Sequence, residues 1–153
     1  MADKHGKKKI VLASGVFDLL HLGHVRFLEE AKKAGGKDAE LIVIIARDST
    51  VEKSKGRKPI MPENQRRALV ESLKVVNAAV LGFEEFDIAN VIKRIKPDVI
   101  ALGYDQSDIE KRVQEYVDKH KLNVQVVKIG KFGEDALDSS SKIRQRIIEN
   151  FAR

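Results

Sequence analysis

Short apolar runs alternate with amphipathic stretches along this chain, and that alternation restricts the fold more than any other feature. Ile10–Ala13, Leu41–Ala46, Ala78–Leu81, Val99–Leu102 and Val124–Ile129 are each four to six residues long and largely apolar. Leu41–Ala46 is nearly all apolar and β-branched, which suits a strand covered on both faces. Between the runs the periodicity becomes helical. A helix from about Gly23 to Ala34 puts Val25, Leu28, Ala31 and Lys32 near one another and turns Arg26, Glu29, Glu30 and Lys33 outward. Gly35-Gly36 ends it. A second helix starts near Pro62-Glu63, where proline is tolerated, and runs through Arg66, Leu69, Val70 and Leu73. Ile88–Ile95 is a helix stopped by Lys96-Pro97. Asp108–His120 carries Ile109, Val113, Tyr116 and Val117 at core-facing spacing, and Ser140–Phe151 is the last helix. Arg47–Pro62 reads as a polar connecting stretch. The pattern predicts an α/β, Rossmann-like fold: a five-stranded parallel sheet with helices on both faces.

At 153 residues, with no internal repeat and no low-complexity tract, the chain reads as one domain over 1–153. There is no cysteine, which removes disulfides and thiolate metal sites. No apolar run reaches the length of a membrane span, and Met1 to Lys9 lacks the hydrophobic segment of a signal peptide; the expected location is cytoplasmic. Lys and Arg outnumber Asp and Glu by 29 to 23. That balance could serve nucleic acid, but a polyphosphate-binding enzyme also needs local positive charge. Basic residues are not interleaved with aromatics as in a stacking platform, so no nucleic-acid partner is expected.

In parallel sheets of this kind, ligands bind beyond the carboxyl ends of the strands, where strand order reverses. Three polar segments follow strands and can converge there: Ser14 to His24, Arg47-Asp48 and Gly103-Tyr104-Asp105-Gln106. His21-Leu22-Gly23-His24 sits where a strand hands over to a helix. Residues three apart share a helix face, and the amides of a helix start favour an anion. Both imidazoles could therefore surround a triphosphate, with Gly23 and Gly15 permitting close approach. The same histidines could instead merely cap and line a helix start. A metal pair is a third reading, although two histidines without a convincing third ligand are weak support for zinc.

The flanking residues narrow the choice. Ser14-Gly15-Val16-Phe17-Asp18 followed by His21-Leu22-Gly23-His24 resembles the signature of the HxGH nucleotidyltransferase superfamily. Arg66 lies where those enzymes carry an arginine on the helix after a basic loop. Gly103-Tyr104-Asp105 resembles their Gly-x-Asp segment, and Ser139-Ser140-Ser141-Lys142-Ile143 their Ser/Thr-rich start of the final helix. The resemblance implies that His21 and His24 stabilise the transferring α-phosphate. It implies that Gly15, Val16 and Phe17 present backbone to the nucleotide, with Leu22, Gly23 and Gly103 lining the same site. The amides and hydroxyls of Ser139, Ser140 and Ser141 would hold the β- and γ-phosphates, although serine at a helix start is common simply as a cap. Asp138 beside them disfavours an anion unless a metal ion intervenes. Asp105 would contact the nucleoside or a metal, or else serve only as a turn aspartate. For Asp18 the corresponding alternative is to hold the motif's backbone rather than touch substrate. Lys53, Lys55, Arg57 and Lys58 would form a basic loop in which Lys53 closes over the triphosphate; by composition alone, such a run is simply solvated.

Two sub-families compete. Glycerol-3-phosphate cytidylyltransferases, which use CTP, have an arginine, a threonine and a glutamate before the final serines. Here Glu134-Asp135-Ala136-Leu137-Asp138-Ser139 departs from that pattern. Four segments are similar instead to archaeal-type FAD synthetases: Ala46-Arg47-Asp48-Ser49-Thr50-Val51, Lys55-Gly56-Arg57-Lys58-Pro59-Ile60, Pro62-Glu63-Asn64-Gln65-Arg66-Arg67 and Leu102-Gly103-Tyr104-Asp105-Gln106. That resemblance implies ATP and FMN as substrates and a divalent cation arriving with the triphosphate. It leaves a homodimer open, though no exposed apolar stripe is visible in the sequence. A non-catalytic nucleotide sensor on the same fold is the reading from another functional class.

Overall fold

In the computed structural model, which describes residues 7–84, 87–131 and 137–152, all five expected strands form. They are β1 (Ile10–Gly15), β2 (Glu40–Ile45), β3 (Ala78–Leu81), β4 (Val99–Gly103) and β5 (Gln125–Ile129). They form one parallel sheet in the order β3-β2-β1-β4-β5. Around it lie α1 (Leu22–Lys33), α2 (Asp48–Lys55), α3 (Glu63–Glu71), α4 (Ile88–Ile95), α5 (Ser107–Lys119) and α6 (Ser140–Phe151). The first six residues and the Glu134–Ala136 part of the segment that distinguishes the two sub-families lie outside the described residues.

Successive strand residues point to opposite faces, and each face has its own core. On one side Val11, Ala13, Leu41, Val43, Ile45, Val99 and Ala101 pack with Leu28 and Ala31 of α1 and Val70 of α3. On the other, Leu12, Ile100 and Leu102 meet Val113 and Val117 of α5 and the partly buried Val91 and Ile92 of α4. Lys32, placed on the core side of its helix by spacing, donates from Nζ to the Val75 carbonyl and to Asn77 Oδ1, both at 3.1 Å. A long cation can lie along a core edge if its head reaches such acceptors.

Helix α2 corrects the reading of Arg47–Pro62 as an unstructured connection. It has two turns and buries only Val51, so no apolar period announces it. Its signals are local: Asp48 in the first turn, and Gly56 closing the end at φ 73°, a left-handed position that glycine adopts without strain. A second departure is α6. None of its residues is buried, and Ile147, Ile148 and Phe151 stand exposed, an apolar stripe the sequence reading does not find.

One detail of the register positions everything that follows. β1 pairs with β2 as far as Gly15↔Ile45, and β4 pairs with β5 as far as Gly103↔Ile129. Pairing of β1 with β4 stops at Ala13↔Ala101. The sheet therefore splits at its carboxyl edge between β1 and β4, where strand order reverses and where such sheets bind ligands.

Candidate active site

The segment leaving β1 forms one lip of that split. It bends sharply, with Phe17 at φ 54° and Leu19 at φ 49°, a conformation that costs energy for bulky side chains and persists only where surroundings enforce it. Two groups enforce it. The Phe17 ring is buried and packs against His24 with centroids 5.2 Å apart. A Cβ at Gly15 would come within 2.9 Å of that ring, so the glycine makes room for Phe17. Asp18, also buried, accepts from the amides of Leu19 (3.1 Å), Ile60 (2.8 Å) and Met61 (2.9 Å). It ties the loop to the chain entering α3, the backbone-holding alternative weighed for it.

His21 and His24 stand at the start of α1 with their rings stacked, centroids 3.6 Å apart and planes 24° from parallel. His24 Nδ1 accepts the His21 amide at 3.3 Å, which leaves Nε2 to carry the proton in the neutral ring. His21 Nδ1 is buried without a hydrogen-bond partner among the described residues, the kind of unmet polar atom that a ligand or water satisfies. Burial lowers the pKa of His21, against an opposing pull from Asp138. Burial, reinforced by His21, pushes His24 down to about 3, against the weaker attraction of Asp18. Both rings are therefore neutral donors near pH 7 in the free protein. An anion placed between them would favour protonation and strengthen both hydrogen bonds.

The start of α6 closes over this pair. A Cβ on Gly23 would overlap the Asp138 carbonyl oxygen, so this glycine lets the α6 segment lie directly on α1. The three serines differ in what they do. Ser139 caps α6, accepting from the Lys142 amide at 3.2 Å. Ser140 Oγ donates to the Asp18 carbonyl at 2.6 Å and fastens α6 to the histidine loop. Ser141 Oγ accepts from Arg144 at 3.2 Å. Only Ser140 spends its O–H on the protein; the Ser139 and Ser141 oxygens accept, so their O–H groups can still donate to an anion, together with the first amides of the helix, which have no intrahelical acceptor. Asp138 stays ionised beside this helix start, and a lysine offsets its charge. Lys142 Nζ lies 2.7 Å from its carboxylate, and this hydrogen bond holds the carboxyl below the usual carboxylate range.

The cytidylyltransferase-like family model matches residues 12–146, a span that contains the histidine loop, Arg66 and the start of α6. The chain belongs to that family. It is 48% identical over 145 residues to the FAD synthase of Methanopyrus kandleri, covering 95% of each chain. To the FAD synthase of Ferroglobus placidus it is 51% identical over 140 residues, 92% of this chain and 88% of the other. A solved structure described as the lipopolysaccharide core biosynthesis protein of Thermoplasma volcanium superposes with a TM-score of 0.73 at 46% identity, covering 82% of this chain and 98% of that one. Pantoate-beta-alanine ligase from Francisella tularensis shares the fold, with a TM-score of 0.62 at 14% identity over 91% of this chain and 65% of that one.

Within this family frame Arg66 is placed unexpectedly. It is fully buried and turns inward rather than into the crevice. Its Nε donates to the Met61 carbonyl at 2.9 Å, and Nη1 donates to the carbonyls of Val16 (2.7 Å) and Ala46 (2.8 Å). Nη2 reaches Asp48 Oδ1 at 2.7 Å. One guanidinium thus holds the ends of β1 and β2 and the start of α3 together. Asp48, which the sequence reading places at the carboxyl edge of the sheet, and Glu63, to which it gives no role, complete the junction. Each accepts the other's amide at 3.3 Å, and Arg47 pairs with Glu63 at 3.2 Å. A possible signal was present: an acidic residue in the first turn of each of two successive helices.

Lys53 lies on α2, exposed, not in a loop. Asp105 is exposed in the turn after β4, on the opposite lip of the crevice from the histidines. Among the described residues no three His, Cys, Asp or Glu side chains are grouped to hold a metal ion, and no helix is long and apolar enough to cross a membrane.

Proposed function

We propose that this chain transfers AMP from ATP to FMN, producing FAD and pyrophosphate. The observation that carries this reading is the near-half identity, over about nine-tenths of the chain, to proteins named FAD synthase. The site supplies matching chemistry. A phosphate oxygen of FMN attacks the α-phosphorus of ATP in line, the new P–O bond forms, and the bond to the β-phosphate oxygen breaks as pyrophosphate leaves. The phosphate monoester is already nucleophilic near neutral pH, so no side chain need act as base.

Negative charge builds on the α-phosphate and the leaving group, and fixed donors aimed at it lower the barrier. His21 and His24 would supply those donors from the start of α1. The amides of Ser139, Ser140 and Ser141, with the O–H groups of Ser139 and Ser141, would hold the β- and γ-phosphates. Gly15, Val16 and Phe17 would meet the nucleotide with backbone, alongside Leu22, Gly23 and Gly103, and Asp105 would face the nucleoside or a cation. Arg66 serves by positioning these elements. Lys53, exposed on α2, would close over the triphosphate. The donor set suits a divalent cation that arrives with the triphosphate and keeps most of its ligands from phosphate and water, where it neutralises charge. We further read residues 1–153 as one nucleotidyltransferase domain working in the cytoplasm.

The test is direct: supply ATP or CTP, a divalent metal, and FMN or glycerol-3-phosphate, then separate the nucleotide products. FAD is the expected product, and CDP-glycerol would overturn the assignment. Alanine at His21 or His24 should lower kcat by about 10²- to 10³-fold, the usual effect of removing one aimed donor, while thermal stability changes little. Unchanged turnover would remove that histidine from the chemistry.

A further inference from the structure

A side chain, that of Gln106, bridges the split between β1 and β4. Beyond Ala13 and Ala101 the two strands make no ladder pairs with each other, so the carbonyl of Ser14 and the amide of Gly103 face a gap. Gln106 fills it. Its Oε1 accepts from the Gly103 amide at 2.8 Å, and its Nε2 donates to the Ser14 carbonyl at 3.2 Å. The side-chain amide thus takes the place of a missing peptide unit in the ladder, donor toward one strand and acceptor toward the other. Only this orientation of the amide satisfies both groups.

Two further features show that this bridge is the residue's task. Gln106 occupies the cap position of α5 without capping it, although Ser, Thr, Asp or Asn would serve better there. Its own amide donates to the Gly103 carbonyl at 3.1 Å, closing a tight turn that folds the side chain back onto the strand end. That same turn carries Tyr104 and Asp105, both exposed, at the mouth of the crevice.

We propose that Gln106 is a positioning residue that sets the width of the nucleotide crevice. It holds the Gly15–Phe17 lip and the Gly103–Asp105 lip at the separation that grips the nucleoside of ATP. The inference rests on reading the crevice as the ATP site, but not on the identity of the acceptor.

The experiment measures ATP affinity by calorimetry, without acceptor, for the wild type, Gln106→Glu and Gln106→Leu, at a temperature where circular dichroism shows each to be folded. Glutamate keeps the shape and the acceptor but loses the donor to Ser14; leucine loses both. Each should weaken ATP binding by about tenfold or more, the scale set by losing one or two positioning hydrogen bonds. In the FAD-forming assay KM for ATP should rise more than kcat falls. Protonating the glutamate restores an O–H donor. Between about pH 8 and about pH 4.3, where half of an ordinary Glu carries its proton, the Gln106→Glu affinity should therefore approach that of wild type measured at the same pH, while Gln106→Leu should not. ATP affinity within about twofold of wild type in both folded variants would overturn the proposal, because differences that small lie well under one hydrogen bond. So would a Gln106→Glu deficit that does not narrow with pH. Wild-type protein that binds ATP yet forms no FAD would instead count against the flavin acceptor, and the Gln106 comparison would still stand.

Discussion

His24 takes up a proton only near pH 3, far below the ordinary histidine range, and the cause is its place under Phe17 and against His21. The consequence for stability has a definite sign. In the unfolded chain His24 protonates as pH falls through about 6.5, whereas in the folded chain it stays neutral until about 3. The unfolded state therefore binds more protons in that interval, and stability present above the upper value is lost as pH falls. His24→Asn, which keeps a side-chain acceptor for the His21 amide, should flatten this loss. Urea unfolding at neutral pH and near pH 5 would measure it. Equal slopes in the two proteins would contradict the burial argument. The same burial prepares the site for its proposed work, since a neutral stacked pair can share one α1 start without charge repulsion until an anion arrives.

At the scale of elements, α2 and α3 depend on Arg66. Its four hydrogen bonds satisfy three carbonyls and a carboxylate where two strand ends meet two helix starts. Arg66→Met should cost about 3–5 kcal/mol, as expected when one partner of a buried charged network is removed. Chemical denaturation would show it, and a loss below about 1 kcal/mol, within the range of an ordinary hydrogen bond, would mean that water replaces the guanidinium. How much of this was legible differs by element. The helices with an apolar period, α1, α4 and α5, could be read from spacing because their burial follows 3.6-residue geometry. Helix α2 could not, since only Val51 turns inward. Arg66 was visible as a motif residue, but its inward direction was not, because its four acceptors come from residues 16, 46, 48 and 61.

For the whole molecule, the sheet centre and the periphery should differ in dynamics. Residues Val11–Ala13, Leu41, Val43, Ile45 and Val99–Leu102 are buried, whereas α6 buries none of its residues and is held at its start by Ser140. Elements with few buried contacts open most readily. Amide hydrogen exchange should be slowest in β1, β2 and β4 and much faster in the last turns of α6, and added ATP should slow the first α6 amides. Protection of α6 equal to that of β1 would show that its exposed Ile147, Ile148 and Phe151 are covered in solution.

By itself the sequence determined the alternation of strands and helices, the parallel sheet and the identity of the HxGH segment. Those properties are local: side-chain period, turn residues and motif order are written along the chain. The tertiary structure alone decided that the sheet splits between β1 and β4, that Gln106 spans the split, and that Ser140 spends its hydroxyl on the Asp18 carbonyl. It also turned Arg66 inward and made the opening between Phe17 and Asp138 a place where two histidines stay neutral. These outcomes depend on contacts between residues far apart in the chain, and on burial that no single segment creates.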